Sequence, residues 1–419
     1  MGKAHRSKSR PFVRAVRTLF VLIAVSAALV GYHAWETARD VGLASGPATQ
    51  AQLKFFEEAA DRPDILPLFN GMDREQRLAT ARNIGKHRSA KLPKLAVTLL
   101  ESFDEQARSA LGQSLVALAE WDPAPVAEEL SRGSSFQRDA VFRALKAAGP
   151  SAIAAIVRKL DSGPHRSNAV RLLVELGKAS VPELLRALAD EQPAARLAAA
   201  EAAGKLRARA AVPRLVALHQ DAKDGDRLSY LTALAAIGDP GTTALLVREL
   251  ESTDAPATVR EQAALGLGRI ASDEAAQKLV ALWLRGEPSM RDAAIEALRL
   301  CGDAALRARA PATLRLEVAF GQVGPLADEV IRGVIVGRPE NRSLYVSAIR
   351  GARGRPAAVR ALREALAAAD PSSDGDVLEA AVESLLSTPE GAAALVSIPD
   401  NSAIAGFVAR ARALGVPSG

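Results

Sequence analysis

The sequence predicts an all-α solenoid, a stack of antiparallel helix pairs, preceded by one transmembrane helix. Three observations support this fold class: a recurring pattern of apolar residues led by arginine, an alanine-rich composition, and an uncharged run near the amino terminus. Aromatic residues make up only 4% of the chain. Such a composition suits closely packed helices better than a sandwich or a barrel.

The first helix of each pair is predicted from an arginine followed by apolar residues at +3, +4, +7 and +10. These apolar positions share one face of an amphipathic helix. Successive arginines from Arg108 to Arg291 lie 28 to 33 residues apart. The regular copies begin at Arg138, Arg166, Arg196, Arg227, Arg260 and Arg291, and looser copies begin at Arg74, Arg108 and Arg342.

The second helix of each pair is predicted from apolar residues at relative positions 0, +1 and +4, as in Leu184, Leu185 and Leu188. Pro182 and Pro213 fall in the first turn of such helices, where the missing N–H costs nothing. One pair of helices cannot bury its own apolar face, so neighbouring pairs must stack to form a continuous core.

The segment VRLLVELGKASVPELLRALADEQPAARLAAAEAAGKLRARAAVPRLVALHQD resembles two short HEAT repeats of the phycobilisome-lyase type. The resemblance covers roughly residues 73–390 and is tightest over 135–302. It implies a right-handed superhelix whose second helices line the concave side, and a scaffold or adaptor role. The family is functionally broad, so the resemblance specifies the fold better than the activity.

The predicted organisation has five segments, with a less regular stretch at 303–340 where the second helix is truncated. They are a basic tail at 1–17, a transmembrane helix (signal anchor) at 18–35, a linker and capping helix at 36–72, the repeat solenoid at 73–398, and a carboxyl-terminal cap and tail at 399–419.

The transmembrane helix is predicted from 18 uncharged residues, Thr18 to Trp35, preceded only by basic charges. As a helix this run spans ~27 Å, close to the ~30 Å of bilayer hydrocarbon. The positive-inside rule then keeps the amino terminus cytoplasmic, in the inner (plasma) membrane, with the solenoid periplasmic or extracytoplasmic. The alternative is a signal peptide cleaved near Ser26-Ala27-Ala28, which would also export the solenoid.

The net charge of +6 is located in the amino-terminal tail. Six of the 54 basic residues precede residue 18, and the remaining 48 equal the 48 acidic residues in number. A neutral body lacks the field that attracts phosphate backbones, so no nucleic-acid partner is expected.

No catalytic, cofactor-binding or metal site is predicted from the sequence. The five histidines are scattered, without a carboxylate at ligand spacing. Cys301 occupies the apolar +10 position of its repeat, which favours a buried inert thiol. Gly266-Leu267-Gly268 lies inside a helical pattern and indicates helix packing instead of a phosphate loop. An enzyme or chromophore-handling protein of the lyase type is the alternative function.

The candidate protein-binding residues are basic positions on the second helices, on the face away from the apolar residues. They are Arg158, Arg186, Arg214, Arg248 and Lys278, named here the cationic stripe. If the second helices line a concave surface, the stripe would favour an acidic or extended protein or peptide partner. The alternative is an ordinary solvated helix face.

Two further charge patterns carry structural expectations. An acidic residue usually precedes the repeated arginine, as Asp104 precedes Arg108, which predicts an arginine–carboxylate ladder between repeats. Residues 331–363 hold eight arginines, and residues 364–400 hold eight acids and no base. Mutual pairing of these two blocks across adjacent repeats is favoured over contact with a partner.

Together these features predict a membrane-anchored scaffold without catalytic activity, whose oligomeric state the sequence leaves open.

Overall fold

The computed structural model of the chain describes residues 36, 39–161, 163–285, 288–397, 405–406 and 409. The chain divides into two compact units, residues 1–202 and 203–419, and the boundary falls within the helix Pro193–Lys205. In the described ranges the secondary structure is helical, without β-strands.

After a helical stretch at residues 39–45, unit 1 has two helices, α1 (Gln50–Asp61) and α2 (Leu66–Asn70), and continues as consecutive helix pairs. The pairs are α3 (Arg74–Ile84) with α4 (Leu92–Leu99), α5 (Glu105–Trp121) with α6 (Pro123–Ala127), α7 (Ser135–Ala148) with α8 (Pro150–Val157), and α9 (Gly163–Glu175) with α10 (Val181–Ala187). Each first helix packs on the next first helix, and each second helix on the next second helix. The helix α11 (Pro193–Lys205) follows.

Unit 2 continues with α12 (Val212–Asp221) and then with further helix pairs. They are α13 (Asp224–Ile237) with α14 (Thr243–Glu251), α15 (Ala257–Ile270) with α16 (Asp273–Arg285), α17 (Pro288–Cys301) with α18 (Asp303–Arg307), α19 (Ala312–Phe320) with α20 (Pro325–Gly337), α21 (Arg342–Gly351) with α22 (Val359–Ala368), and α23 (Gly375–Leu386) with α24 (Pro389–Val396). One buried apolar cluster runs through these pairs from Leu231 to Leu395.

Local sequence signals explain where the helices begin and end. Asp73 and Ser134 close capping boxes with Gln76 and Gln137, in which each side chain bonds the other residue's backbone N–H. Gly149 ends α7 at a φ of 62°, a backbone conformation that residues with a Cβ rarely adopt. The chain can therefore reverse there in a single residue before Pro150 starts α8.

The predicted helical register is confirmed in both units. Val141, Leu173, Leu234 and Leu267 of the arginine-led pattern are buried. Gly268 lies so close to α17 that an added Cβ would sit 2.4 Å from the carbonyl oxygen of Ala297. The Gly266-Leu267-Gly268 motif therefore serves close packing of α15, as the sequence predicted.

The predicted single-pass membrane location is wrong, since no helix in the described ranges is long and apolar enough to cross a membrane. The longest of these helices, α5, has 17 residues and carries Glu105, Arg108 and Glu120. It is an amphipathic helix of a pair, in which only one face is apolar. The segment 18–35, on which the prediction rested, lies outside the described residues, as do the tail 1–17 and most of 399–419.

Candidate functional site

The five residues of the cationic stripe all lie on or at the end of second helices or α12. Arg158 directly follows α8, and the others lie in α10, α12, α14 and α16. Four of the five side chains are exposed, and Lys278 is partly buried. The first two residues belong to unit 1 and the other three to unit 2.

Neighbouring carboxylates balance part of the stripe. Arg186 pairs with Glu183 one turn away on the same helix. Lys278 Nζ lies 3.3 Å from an oxygen of Glu251. Arg158 forms no ion pair with any residue that the structure describes. A partner would therefore have to displace the ion pairs of Arg186 and Lys278 to bind these side chains. The role of the stripe in binding stays a prediction.

The arginine that leads each repeat has a structural role that the sequence did not predict. In the register of the structure it is the fourth residue of the first helix, so Arg77 takes this place in α3, not Arg74. In α3, α5, α7 and α11 its guanidinium donates to backbone carbonyls of the preceding loop. Arg108 Nη2 donates to Glu101 O at 3.1 Å, and Arg196 Nη1 donates to Asp190 O and Glu191 O, both at 2.9 Å.

The predicted arginine–carboxylate ladder is thus wrong for these repeats. The acids that precede the arginines cap their own helices or loops instead: Asp104 accepts from the N–H of Ala107, and Asp190 from that of Gln192. Because each of these carboxylates already accepts a hydrogen bond from a backbone N–H, the arginine binds the loop carbonyls within its reach instead.

Arg227 is a different case, because its guanidinium binds a buried carboxylate. Its Nη2 lies 2.8 Å and 2.9 Å from the two carboxylate oxygens of Glu249 on α14. His219 of α12 places Nε2 3.3 Å from the same carboxylate. Burial alone would raise the pKa of Glu249, but the Arg227 hydrogen bonds and the contact with His219 outweigh it and lower that pKa.

A groove of about 820 Å³ lies beside α18 and α20 in unit 2. It opens where α18 has five residues, whereas the preceding second helix α16 has 13. The groove lining, named here the α18 groove, comes from the end of α18, the start of α19, one face of α20, and Pro339 and Leu344 beyond it. The truncated helix at 303–310 was visible in the sequence, but the groove that results was not predicted.

Two arginines face this groove without a protein partner. Arg315 is the repeat arginine of α19, and its side chain makes no hydrogen bond or ion pair with any residue that the structure describes, although its Nε is buried. Arg309 is exposed and also forms no ion pair with a residue that the structure describes. A third lining arginine, Arg307, is held at 3.0 Å by Asp273.

Comparison with known proteins identifies the repeat type. The family model of HEAT repeats matches residues 150–230 and 217–299. The chain contains HEAT repeats. No curated protein matches it.

Solved structures similar to this chain include karyopherins of low sequence identity. The karyopherin Kap121p aligns at 12% identity with a TM-score of 0.42, covering 83% of this chain and 47% of Kap121p. Kap121p bound to Pho4p aligns at 11% identity with a TM-score of 0.40, covering 87% of this chain and 54% of that one. Importin beta aligns at 14% identity with a TM-score of 0.35, covering 97% and 67%. This chain spans about half the length of Kap121p, and at these scores the likeness carries no conclusion about function.

The one cysteine of the chain is buried. Cys301 is 3% exposed, and burial raises its pKa to about 12, so the thiol stays protonated near neutral pH. Within the described ranges, no group of three or more histidines, cysteines and acids lies close enough to hold a metal ion. These surroundings disfavour a nucleophilic role for Cys301.

The two charge blocks near the carboxyl end pair with each other, as the sequence favoured. Arg342 of α21 binds Asp376 and, at 2.7 Å, Asp374, and these two carboxylates raise the pKa of its guanidinium. Arg353 binds Glu383 of α23. These contacts join neighbouring HEAT repeats, so part of the arginine block is occupied in holding the stack together.

Proposed function

We propose that this chain is a non-catalytic scaffold that binds an extended segment of a partner protein on its second helices. The HEAT-repeat fold is consistent with protein–protein interaction, because stacked helix pairs present long, shallow surfaces with few deep pockets. No particular partner is implied by the fold alone.

The observation that carries the proposal is the placement of the cationic stripe. Four of its five members are exposed, Arg158 and Arg186 in unit 1 and Arg214 and Arg248 in unit 2. Exposed charges of one sign contribute little to folding but steer and select a partner of the opposite sign. A partner segment rich in carboxylates would therefore suit this face.

The environments of Cys301 and Glu249 support a binding role over catalysis. Cys301 is buried and protonated, and the Glu249 carboxylate is bound by Arg227. A catalytic nucleophile or base must be accessible to its substrate. The chromophore-lyase alternative has no accessible cysteine to support it in the described residues, since Cys301 is buried.

The experiment is a cross-linking capture from cells that express the full chain. The test variant reverses Arg158, Arg186 and Arg248 to glutamate. The matched control reverses Arg82, Arg143 and Arg350, exposed arginines on first helices that form no ion pairs in the described residues. The stripe variant is expected to lose its captured protein, while the control retains it, and added salt should weaken capture by wild type.

The two possible failures have different meanings. Equal capture by the stripe variant and the control would show that the second-helix stripe is not the binding face. Absence of any cross-linked protein with the wild-type chain would contradict the scaffold function itself.

A further inference from the structure

We infer that the α18 groove binds a peptide segment of a partner protein in which a carboxylate stands beside apolar side chains. This inference rests on the proposed scaffold function and assigns that function a site in unit 2. It is independent of the cationic stripe, since α18 and α20 carry none of the stripe residues.

The groove lies where the short second helix α18 stands between two second helices of 13 residues, α16 and α20. At 1.5 Å per residue, α18 is about 8 Å long and α16 about 20 Å, so the layer of second helices has a gap of about 12 Å at this position. The first-helix layer behind it is complete, because α17 packs on α19 and α19 on α21. The gap therefore has an intact floor, and its volume of about 820 Å³ lies in the range of ligand pockets.

The wall formed by α20 is apolar and is widened by a glycine. Leu326, Val330 and Val334 line the groove along this helix. Gly333 lies among them, and a Cβ added there would meet nothing within 4 Å. In contrast, Gly268 is required by the close approach of α17. Glycine in a helix interior is unfavourable, and at Gly333 its effect is to leave space in the groove.

The opposite wall carries the positive charge. In four repeats of unit 1 the arginine equivalent to Arg315 donates from its terminal nitrogens to loop carbonyls, as Arg196 does. The terminal nitrogens of Arg315 make no such bond within the described residues, and its Nε is buried and unpaired there, as the Nε of Arg196 is. A carboxylate is the strongest acceptor that these free terminal nitrogens can take. Arg309 adds a second unpaired cation on the same wall.

The charge arrangement also sets an orientation. Glu329 is the carboxylate on the α20 side of the groove, so a uniformly acidic ligand would be repelled there. A ligand with its carboxylate at Arg315 and Arg309 and its apolar side chains against Val330 and Val334 meets both walls favourably.

The extent of the open surface favours a peptide over a compact small molecule. A second cavity of about 370 Å³ lies on the other side of α20, shares Glu329 and Gly333 with the groove, and continues to Arg360 on α22. Val336, between the α20 and α22 surfaces, is 59% exposed. An extended chain can follow this surface, and apolar side chains at alternate positions would cover Val336.

The experiment selects ligands directly on the purified full chain. A display library of random short peptides is panned on the wild-type protein, and the enriched peptides are synthesised with a fluorescent label. Their affinity is measured by fluorescence anisotropy. The expected peptides combine aspartate or glutamate with neighbouring leucine, isoleucine or phenylalanine, and Arg315→Glu should weaken their binding about tenfold or more.

Gly333→Leu fills the groove without disturbing the fold, because the new side chain enters open space and leucine favours the helix. It is expected to weaken binding about tenfold. Gly112→Leu is the matched control: Gly112 lies in the helix α5, also has nothing within 4 Å of an added Cβ, and lines a separate cavity in unit 1. Thermal denaturation of both variants checks that folding is retained.

Whenever peptides are enriched, the glycine variants separate the groove from the scaffold proposal. Acidic–apolar peptides that lose affinity with Gly333→Leu but not with Gly112→Leu establish the groove as the site. Peptides that bind both glycine variants as tightly as wild type, or that lose affinity only with Gly112→Leu, overturn the groove but leave a peptide-binding scaffold. Enrichment of basic or uncharged peptides overturns the role of Arg315, and failure to enrich any peptide contradicts both the groove and the peptide-binding form of the scaffold.

Discussion

Nη2 of Arg227 lies 2.8 Å from one carboxylate oxygen of Glu249 and 2.9 Å from the other. The two residues join the first and second helices of one repeat, and His219 of α12 contacts the same carboxylate. Glu249 is 2% exposed, so its charge depends on these neighbours instead of on water. In this repeat the leading arginine binds a side chain, whereas Arg108 and Arg196 of unit 1 bind loop carbonyls.

Glu249→Gln is expected to lower the free energy of unfolding by about 1.5–3 kcal/mol, because the charged hydrogen bonds to Arg227 are replaced by weaker ones. The control is Glu251→Gln, which removes a half-exposed carboxylate paired with Lys278 and should cost no more than about 1 kcal/mol. Urea denaturation of the full chain measures both. Equal effects of the two substitutions would contradict the role assigned to Glu249.

The lowered pKa of Glu249 predicts that the free energy of unfolding depends on pH. Its folded pKa lies below the ordinary value of 4.5, so its contribution is fully present above pH 4.5 and is lost as the pH falls through the lowered pKa. Wild type should therefore lose stability more steeply than Glu249→Gln as the pH falls below this value. Denaturant midpoints measured across the acidic range test this, and parallel curves for the two proteins would refute it.

The helical register was predictable because it is a property of side-chain spacing alone. A period of 3.6 residues places Tyr230, Leu231 and Leu234 on one face, and the structure buries all three. The positions of the stripe residues on second helices followed from the same spacing. The membrane helix was inferred from an apolar run outside the described ranges, and none of the helices in those ranges is long and apolar enough to span a bilayer.

The roles of the arginines were not predictable, since their acceptors are backbone carbonyls that every residue carries. Nothing in the sequence distinguishes the carbonyl of Glu101, which Arg108 binds, from its neighbours. The α18 groove depends on the contrast between a short helix and the complete layer behind it. The contact of His219 with Glu249 joins residues 30 positions apart, on two different helices. Each of these features needs the packing of the helices to be known.

Leu234→Asp tests the register at a single core position. Leu234 is fully buried in α13, so an aspartate there would leave a charge without a partner in an apolar core. We expect a loss of about 3–5 kcal/mol. Leu300→Asp on α17 is the matched control, because Leu300 is 47% exposed and its replacement should be tolerated. Thermal denaturation followed by circular dichroism distinguishes the two, and an unchanged melting temperature for Leu234→Asp would disprove the register.

Arg196→Gln and Arg315→Gln compare the repeat arginine in its two situations. Arg196 donates to the carbonyls of Asp190 and Glu191, and its replacement should lower the free energy of unfolding by about 1.5–3 kcal/mol. Arg315 makes no such bonds within the described residues, and its replacement should change stability by less than about 0.5 kcal/mol. Chemical denaturation of the full chain gives both values. Similar losses for both variants would show that Arg315 also supports the fold.

Gly333→Ala and Gly268→Ala should change stability in opposite directions, although both glycines lie inside helices. At Gly333 the new methyl group enters open space, and the smaller entropy of the unfolded chain should stabilise the protein by about 0.4–1 kcal/mol. At Gly268 the new Cβ would lie 2.4 Å from the carbonyl oxygen of Ala297 and 2.9 Å from its Cα. The helices α15 and α17 must then separate, which should cost about 1–3 kcal/mol. Differential scanning calorimetry should show a higher melting temperature for the first variant and a lower one for the second. A destabilised Gly333→Ala would mean that the α18 groove is closed in solution, and the peptide site inferred there would have no room for its ligand.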